Sequence, residues 1–255
     1  MFPYIGITDF TSPREVRAMA SVFRKHVAPG SSRRLHVGVM MSYKTLWHYT
    51  TKWSSIFPSN KDIAGIFCSE SVFNCLHYAD YDVNTEVWKS LAWAMRFGGS
   101  GLHALQLDMI WPNPKDIAEA MSDSEKSIEI ILQVGKNAIE MMDNDPNAVA
   151  RKLGEYDGII NRVLLDKSMG RGLGMDARAL IPFARAIKDK FPDIGLGAAG
   201  GLGPETMDLV MPLLEEFPDL SIDAQGKLRP SGNALDPVDW RMAGLYLIEA
   251  LKRVQ

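Results

Sequence analysis

The chain has 255 residues, of which 46% are hydrophobic and 23% charged, and its formal net charge is −3. That length and balance suit one globular domain spanning 1–255 and argue against long disordered stretches. The weak negative charge, with Lys and Arg spread along the chain, excludes the basic stripe a nucleic-acid partner requires.

Two cysteines, Cys68 and Cys75, make neither a disulfide framework nor a complete metal site, and both are expected to be free thiols. The opening Met1-Phe2-Pro3-Tyr4-Ile5-Gly6 lacks the basic-then-apolar pattern of a signal peptide. No run reaches the roughly 18 apolar residues of a membrane span. The cytoplasm is therefore the expected location, with no membrane partner.

Short apolar runs alternate with amphipathic stretches, the pattern of βα units around a parallel sheet. The first run is Tyr4 to Ile7, followed by a helix that Thr11 or Ser12 can cap, with Pro13 at its first position and Glu15 completing a capping box. Leu35 to Met41 is the second run, Ile63 to Cys68 the third and Ala104 to Asp108 the fourth. Ser127 to Leu132, Gly158 to Asp166, Ile194 to Ala199 and Leu220 to Asp223 complete eight. The clearest helices are Thr85–Phe97, Asp176–Lys190, Pro204–Glu216 and Pro237–Arg253. The segment 44–60 is irregular and reads as an elaborated helix or a lid. Eight units in this length predict an α/β chain closed into a single (β/α)₈ TIM barrel, with a doubly wound open sheet as the structural rival.

Parallel barrels carry function at the C-terminal ends of their strands, and the last loops often hold phosphate on backbone N–H groups. Here the seventh run enters Gly200-Gly201-Leu202-Gly203-Pro204-Glu205, and Pro204 is expected to start the next helix. The eighth enters Asp223-Ala224-Gln225-Gly226-Lys227, and the sixth enters Lys167-Ser168-Met169-Gly170-Arg171. Gly200, Gly201, Gln225, Gly226, Arg171 and Asp223 are thus the candidate ligand-binding residues. Each glycine is equally suited to a plain tight turn; three such loops in succession favour an anion site.

Leu164-Leu165-Asp166 followed by Gly170, Gly172 and Gly174, then Ala198-Ala199-Gly200-Gly201-Leu202-Gly203-Pro204-Glu205, then Ser221-Ile222-Asp223 with Gln225-Gly226, resembles the phosphoribosylanthranilate isomerase family. Ile5-Gly6-Ile7-Thr8 is similar to that family's Lys-Ile-Cys-Gly-Ile-Thr opening, and Gln106-Leu107 to its Gln-Leu-His-Gly. The match spans roughly residues 155–230, with weaker likeness at the start and little between 30 and 100. The resemblance implies a phosphate-binding barrel that isomerises an aminosugar phosphate without a cofactor, using a first-strand cysteine as base and a sixth-strand aspartate as acid. Asp166 matches the acid. Ile5 stands where the cysteine would be, and Asp108-Met109 replaces the His-Gly.

The remaining chemistry lies in the strand-end carboxylates. Asp108, Asp166 and Asp223 close the fourth, sixth and eighth runs, and alternate strands share layers, so the three are expected to meet at one mouth. Paired carboxylates with unequal pKa values can divide acid and base work. Asp166 is the expected acid and Asp108 the base, while Asp223 positions a sugar hydroxyl or caps its loop. The trio lacks the tight spacing of a metal site, so no metal is expected. Lys167 supports a Schiff-base aldolase as a rival, although it follows Asp166 directly and neighbours on a strand face opposite ways.

His77 with Asp80 and Asp82 falls on the functional side and His103 on the structural side. Trp111 either stacks a ring or covers the barrel top, and Lys44, Trp47 and Tyr49 are candidates for a lid. Aromatics near Trp47 and Trp53 would suit a homo-oligomer interface. The leading reading is an isomerase or lyase for a phosphorylated sugar or aminosugar. A catalytically inactive barrel that binds a phosphorylated metabolite is the rival, favoured by Ile5.

Overall fold

A computed structural model describes residues 1–69, 71–82, 86–124, 127–166 and 174–254. Eight parallel strands close into a barrel in sequence order: β1 (Tyr4–Thr8), β2 (Arg34–Ser42), β3 (Phe73–Asp80), β4 (Ala104–Met109), β5 (Glu129–Gly135), β6 (Arg162–Asp166), β7 (Gly195–Ala199) and β8 (Ser221–Ala224). Closure is made by β1 against β8, where Ile5 faces Ile222, Gly6 faces Asp223 and Ile7 faces Ala224. The chain is a single (β/α)₈ TIM barrel. No helix among the described residues is long and apolar enough to cross a membrane.

Helices α1 (Pro13–His26), α2 (Tyr43–Leu46), α3 (Ile63–Ile66), α4 (Val87–Gly98) and α5 (Pro114–Ser122) follow the first four strands. After β5 come α6 (Lys136–Glu140) and α7 (Pro146–Leu153), and then α8 (Ala177–Lys190), α9 (Met211–Glu216) and α10 (Trp240–Arg253). Local chemistry explains the starts. Ser12 accepts from the Glu15 N–H while the Glu15 carboxylate accepts from the Ser12 N–H, the capping box its sequence predicts. Asp176 caps α8, and Asp239 caps α10 by accepting from Arg241 and Met242.

Strand alternation separates two cores. Ile5, Ile7, Val37, Val39, Leu76 and Tyr78 belong to the shell packed against the helices. Tyr4, Phe73, Cys75, Ala104, Ile131 and Leu164 form a second cluster that fills the barrel floor. There the Arg162 guanidinium lies over the rings of Phe2, Phe73 and Tyr4, at 4.8, 5.0 and 5.6 Å. It also bonds Glu129 at 2.6 Å and the Phe2 carbonyl at 2.9 Å. Charge pairing, carbonyl bonding and ring faces offset part of the cost of burying the cation, whose Nη2 has no hydrogen-bond partner among the described residues. These side chains fill the floor, and the main cavity lies at the opposite end.

Three sequence expectations are corrected. The run Ile63 to Cys68 is not the third strand: Ile63–Ile66 is one helical turn, and β3 is Phe73–Asp80. A six-residue apolar run carries no helix-or-strand signature of its own. The real strand is punctuated by Asn74, His77 and Asp80, polar residues that are all buried here. Pro204 does not open a helix: Thr206 bonds the Gly201 carbonyl at 2.7 Å and closes a turn, a 3-10 turn follows at Met207–Val210, and α9 begins at Met211. The last helix begins at Trp240 rather than Pro237.

Candidate functional site

The C-terminal mouth of the barrel opens into a cavity of about 1120 Å³. All three predicted aspartates line it, together with His77, Gln133, Gly200, Gly201, Gln225 and Gly226. Thus Asp108 from β4, Asp166 from β6 and Asp223 from β8 do meet, as the alternation of strands requires. Arg171 and Lys167 lie outside the described residues.

Asp223 is the most constrained of the three. Its side chain lies over Gly6 on the neighbouring strand, and Thr8 of β1 donates its hydroxyl to both carboxylate oxygens, at 3.0 and 3.3 Å. Gly6 is needed there because a Cβ would come within 2.5 Å of Asp223 Oδ1 and 2.9 Å of His36 Nδ1. Gly38 on β2 makes the matching space for Thr8, whose Oγ1 would sit 2.5 Å from a Cβ. Burial pushes the Asp223 carboxyl up to about 6, against the charge of His77 and the Thr8 hydrogen bond, which both pull it down. This carboxyl therefore exchanges its proton close to neutral pH, which suits acid–base work.

His77 stands on β3 inside the mouth, not in the loop after it, and is 6% exposed. Its Nε2 lies 3.7 Å from Asp108 Oδ2, the separation of an ion pair rather than of a hydrogen bond. Burial lowers its pKa, but Asp108, Asp223 and Asp9 more than offset that and raise it above the ordinary value. His36, deeper on β2 and stacked on Tyr4 at 4.6 Å, moves the other way. Burial, then the charges of His77 and Arg162, bring it down to about 3. His36 is neutral wherever His77 titrates.

A row of amides joins these acids. Gln106 Nε2 donates to Gln133 Oε1 at 2.9 Å, and Gln133 Nε2 donates to Asp166 Oδ2 at 3.3 Å. Gln106 Nε2 is also 3.3 Å from Nδ1 and 3.4 Å from Nε2 of His77. Tyr81, in the loop after β3, donates its hydroxyl to Asp108. Gln133, Tyr81 and Thr8 were not identified by sequence reasoning. A single Gln in an apolar strand, such as Ile130-Ile131-Leu132-Gln133-Val134, was the available signal, since a polar residue at a strand's C-terminal end faces the mouth or solvent.

The wall opposite the glycine loops comes from the segment 43–60. Tyr43, Lys44, Tyr49, Trp53 and Phe57 line the cavity, with Trp53 stacked on Phe57 at 5.3 Å and Lys44 bonded to Asp82 at 2.8 Å. Trp47 turns away and bonds Ser90 at 3.0 Å. Trp111 packs beside Tyr156 and bonds the Ala138 carbonyl at 3.0 Å, so it covers the barrel instead of lining the cavity. His103 accepts from the Asn74 N–H at the structural end. Cys75 is buried in the floor and Cys68 is exposed.

On the other side, Gly200 and Gly201 adopt φ of 111° and 68°, values that favour glycine. Gly203 presses on the neighbouring loop, where a Cβ would meet Lys227 Cβ at 2.8 Å and its carbonyl at 2.9 Å. Arg229 fastens that loop to the end of β1: it forms a buried ion pair with Asp9 and bonds the carbonyls of Asp236 and Gln225 at 2.6 and 2.9 Å. Among the described residues no group of three or more His, Cys, Asp or Glu is placed to hold a metal ion.

No family model and no curated protein matches this chain. Among solved structures it is similar to one described as a "putative isomerase from Sinorhizobium meliloti", at 8% identity with a TM-score of 0.45. That alignment covers 94% of this chain and 55% of the other, so the chain spans about half the length of the structure it matches.

Proposed function

We propose that this barrel is an acid–base isomerase or lyase for a phosphorylated sugar or aminosugar. The observation that carries the reading is the convergence of Asp108, Asp166, Asp223 and His77 on one cavity, in a setting where Asp223 titrates near neutrality. Moving a proton between adjacent carbons, or opening a ring, needs one group to take a proton while another gives one. Asp108 is the base in this scheme, steadied by the Tyr81 hydroxyl and by His77. Asp166 is the acid, and Asp223 orients a substrate hydroxyl and reinforces the acid side.

The phosphate belongs at the loops after β7 and β8. Their support is backbone that only glycine adopts readily at Gly200 and Gly201, the close approach of Gly203 to Lys227, and the lysine itself at the rim. Gln225 and Gly226 complete that wall. The order of motifs resembling phosphoribosylanthranilate isomerase points the same way at Asp166, Gly200-Gly201 and Asp223. It does not extend to the first-strand base, because Ile5 packs outward against the helices and Thr8 is the β1 residue that reaches Asp223. The base must come from another strand, and Asp108 meets that need.

The test is incubation with sugar and aminosugar phosphates in deuterated water, followed by proton NMR. Exchange of a carbon-bound proton that is lost in both Asp108→Asn and Asp166→Asn is the expected result. Binding without exchange or turnover for any such ligand would leave a metabolite-binding barrel instead.

A further inference from the structure

The two oxygens of Asp108 stand in different surroundings. Tyr81 donates its hydroxyl to Oδ2, and His77 Nε2 faces the same atom at the ion-pair separation of 3.7 Å. Oδ1 has no hydrogen-bond partner among the described residues and is not sealed from solvent. An ionised carboxylate only accepts, so gathering its neighbours on one oxygen leaves the other for a ligand in the cavity that Asp108 lines.

Strand register explains why two side chains reach one oxygen. Asp108 on β4 is level with Ala79 on β3, between His77 two residues before and Tyr81 two residues after. Residues two apart on a strand share a face, and His77, Ala79 and Tyr81 all line the cavity. Ala79 is the small member of that row. Its single methyl group leaves the carboxylate within reach of the longer side chains on either side.

Tyr81 acts here as a donor. Burial first, and then the charge of Asp108, raise its pKa, so the phenol keeps its proton across the neutral range. We infer that Tyr81 is a positioning residue that holds Asp108 by Oδ2, shares that oxygen with His77, and so presents Oδ1 as the atom that takes the substrate's proton. The inference rests on the acid–base reading above and deepens it by naming the reacting atom. In the step itself a C–H bond of the substrate breaks, its electron pair stays on the substrate, and an O–H bond forms at Oδ1. Oδ2 keeps both neighbours throughout, so the carboxyl stays aligned to return the proton. A carboxylate free to rotate loses that alignment, and with it much of the advantage of a positioned base.

The hydroxyl also sets how strongly Asp108 acts on His77. A carboxylate oxygen that accepts a hydrogen bond carries less charge toward its other neighbour. Further charges face His77 from His36 on β2, Asp223 on β8 and Asp9 beyond β1, and Asp166 on β6 acts on Tyr81. These are present with or without the hydroxyl, so a double-variant comparison isolates its share.

The experiment is an NMR titration of the His77 ring in the wild type, Tyr81→Phe, Asp108→Asn and the double variant. Tyr81→Phe keeps the exposed ring and removes only the hydroxyl. It is expected to raise the His77 pKa by roughly half a unit where Asp108 is present, and to leave it unmoved beside Asp108→Asn. Any result in which Tyr81→Phe fails to raise the His77 pKa more beside the native carboxylate overturns the role given to Tyr81. Asp108→Ala serves as the carboxylate-free background if Asp108→Asn does not fold. The readout needs no substrate. Coupling without proton exchange on any sugar phosphate would refute the proposed function and leave Tyr81 holding Asp108; exchange without coupling would refute the part played by Tyr81.

Discussion

Gly6 and Asp223 lie opposite one another where the barrel closes, and the missing Cβ of the glycine is the space the carboxylate occupies. Gly6→Ala is accordingly expected to push the Asp223 carboxyl off Thr8 and to destabilise the fold by about 1–3 kcal/mol, the usual effect of overpacking a tight core. Urea denaturation measures the loss. The wild-type midpoint retained in Gly6→Ala would show that the strands adjust without cost.

The raised pKa of Asp223 makes a pH prediction of definite sign. The unfolded carboxyl ionises at about 3.8 and the folded one at about 6, so the folded state binds the proton more tightly. Its contribution is greatest below the lower value and is lost as pH rises through the higher one. A shift of roughly two units corresponds to about 3 kcal/mol. Asp223→Asn should therefore flatten stability between pH 4 and 7 relative to the wild type. Parallel denaturant curves at those two pH values test this, and identical slopes in both proteins would contradict it.

The Arg229–Asp9 pair should be the most sensitive contact outside the cavity. Arg229→Met leaves a buried carboxylate unpaired and two loop carbonyls without their donor, a loss of roughly 3–5 kcal/mol. Asp9→Asn keeps a side chain suited to the φ of 88° at that position and should cost less. Thermal melts of both variants settle the order; an Asp9→Asn melt at or below that of Arg229→Met would refute it.

Gly201→Val should weaken binding of a sugar phosphate by tenfold or more, because a branched side chain strains a φ of 68° in the loop that faces the cavity. Gly30→Val is the control for strain alone: its φ is 80° and nothing lies within 4 Å of an added Cβ. Calorimetric titration compares the two. Equal affinity in wild type and Gly201→Val would remove the phosphate from this loop.

Much of the architecture was legible in the amino-acid sequence because periodicity and capping are local. Ser12 with Pro13 and Glu15 specifies a helix start within four residues, and seven of the eight apolar runs fall on strands. The third run failed because β3 carries buried polar residues on both of its faces. Its residues Asn74, His77 and Asp80 break the apolar run that the search for strands depends on. The aspartates were visible for a related reason: a carboxylate closing an apolar strand stands out by its chemistry, whatever its surroundings.

What the tertiary structure alone decided is who stands beside whom. Thr8 and Asp223 are 215 residues apart in sequence and share a hydrogen bond only because the last strand returns to the first. The hydrogen bonds Gln106–Gln133–Asp166 join three successive strands, and strand order alone does not say which side chains along them touch. A pKa is a property of neighbours and burial, and those exist only once the barrel has closed. Sequence determined the eight units and the acids at their ends; closure determined that Asp223 rests over Gly6, and with it where that proton is held.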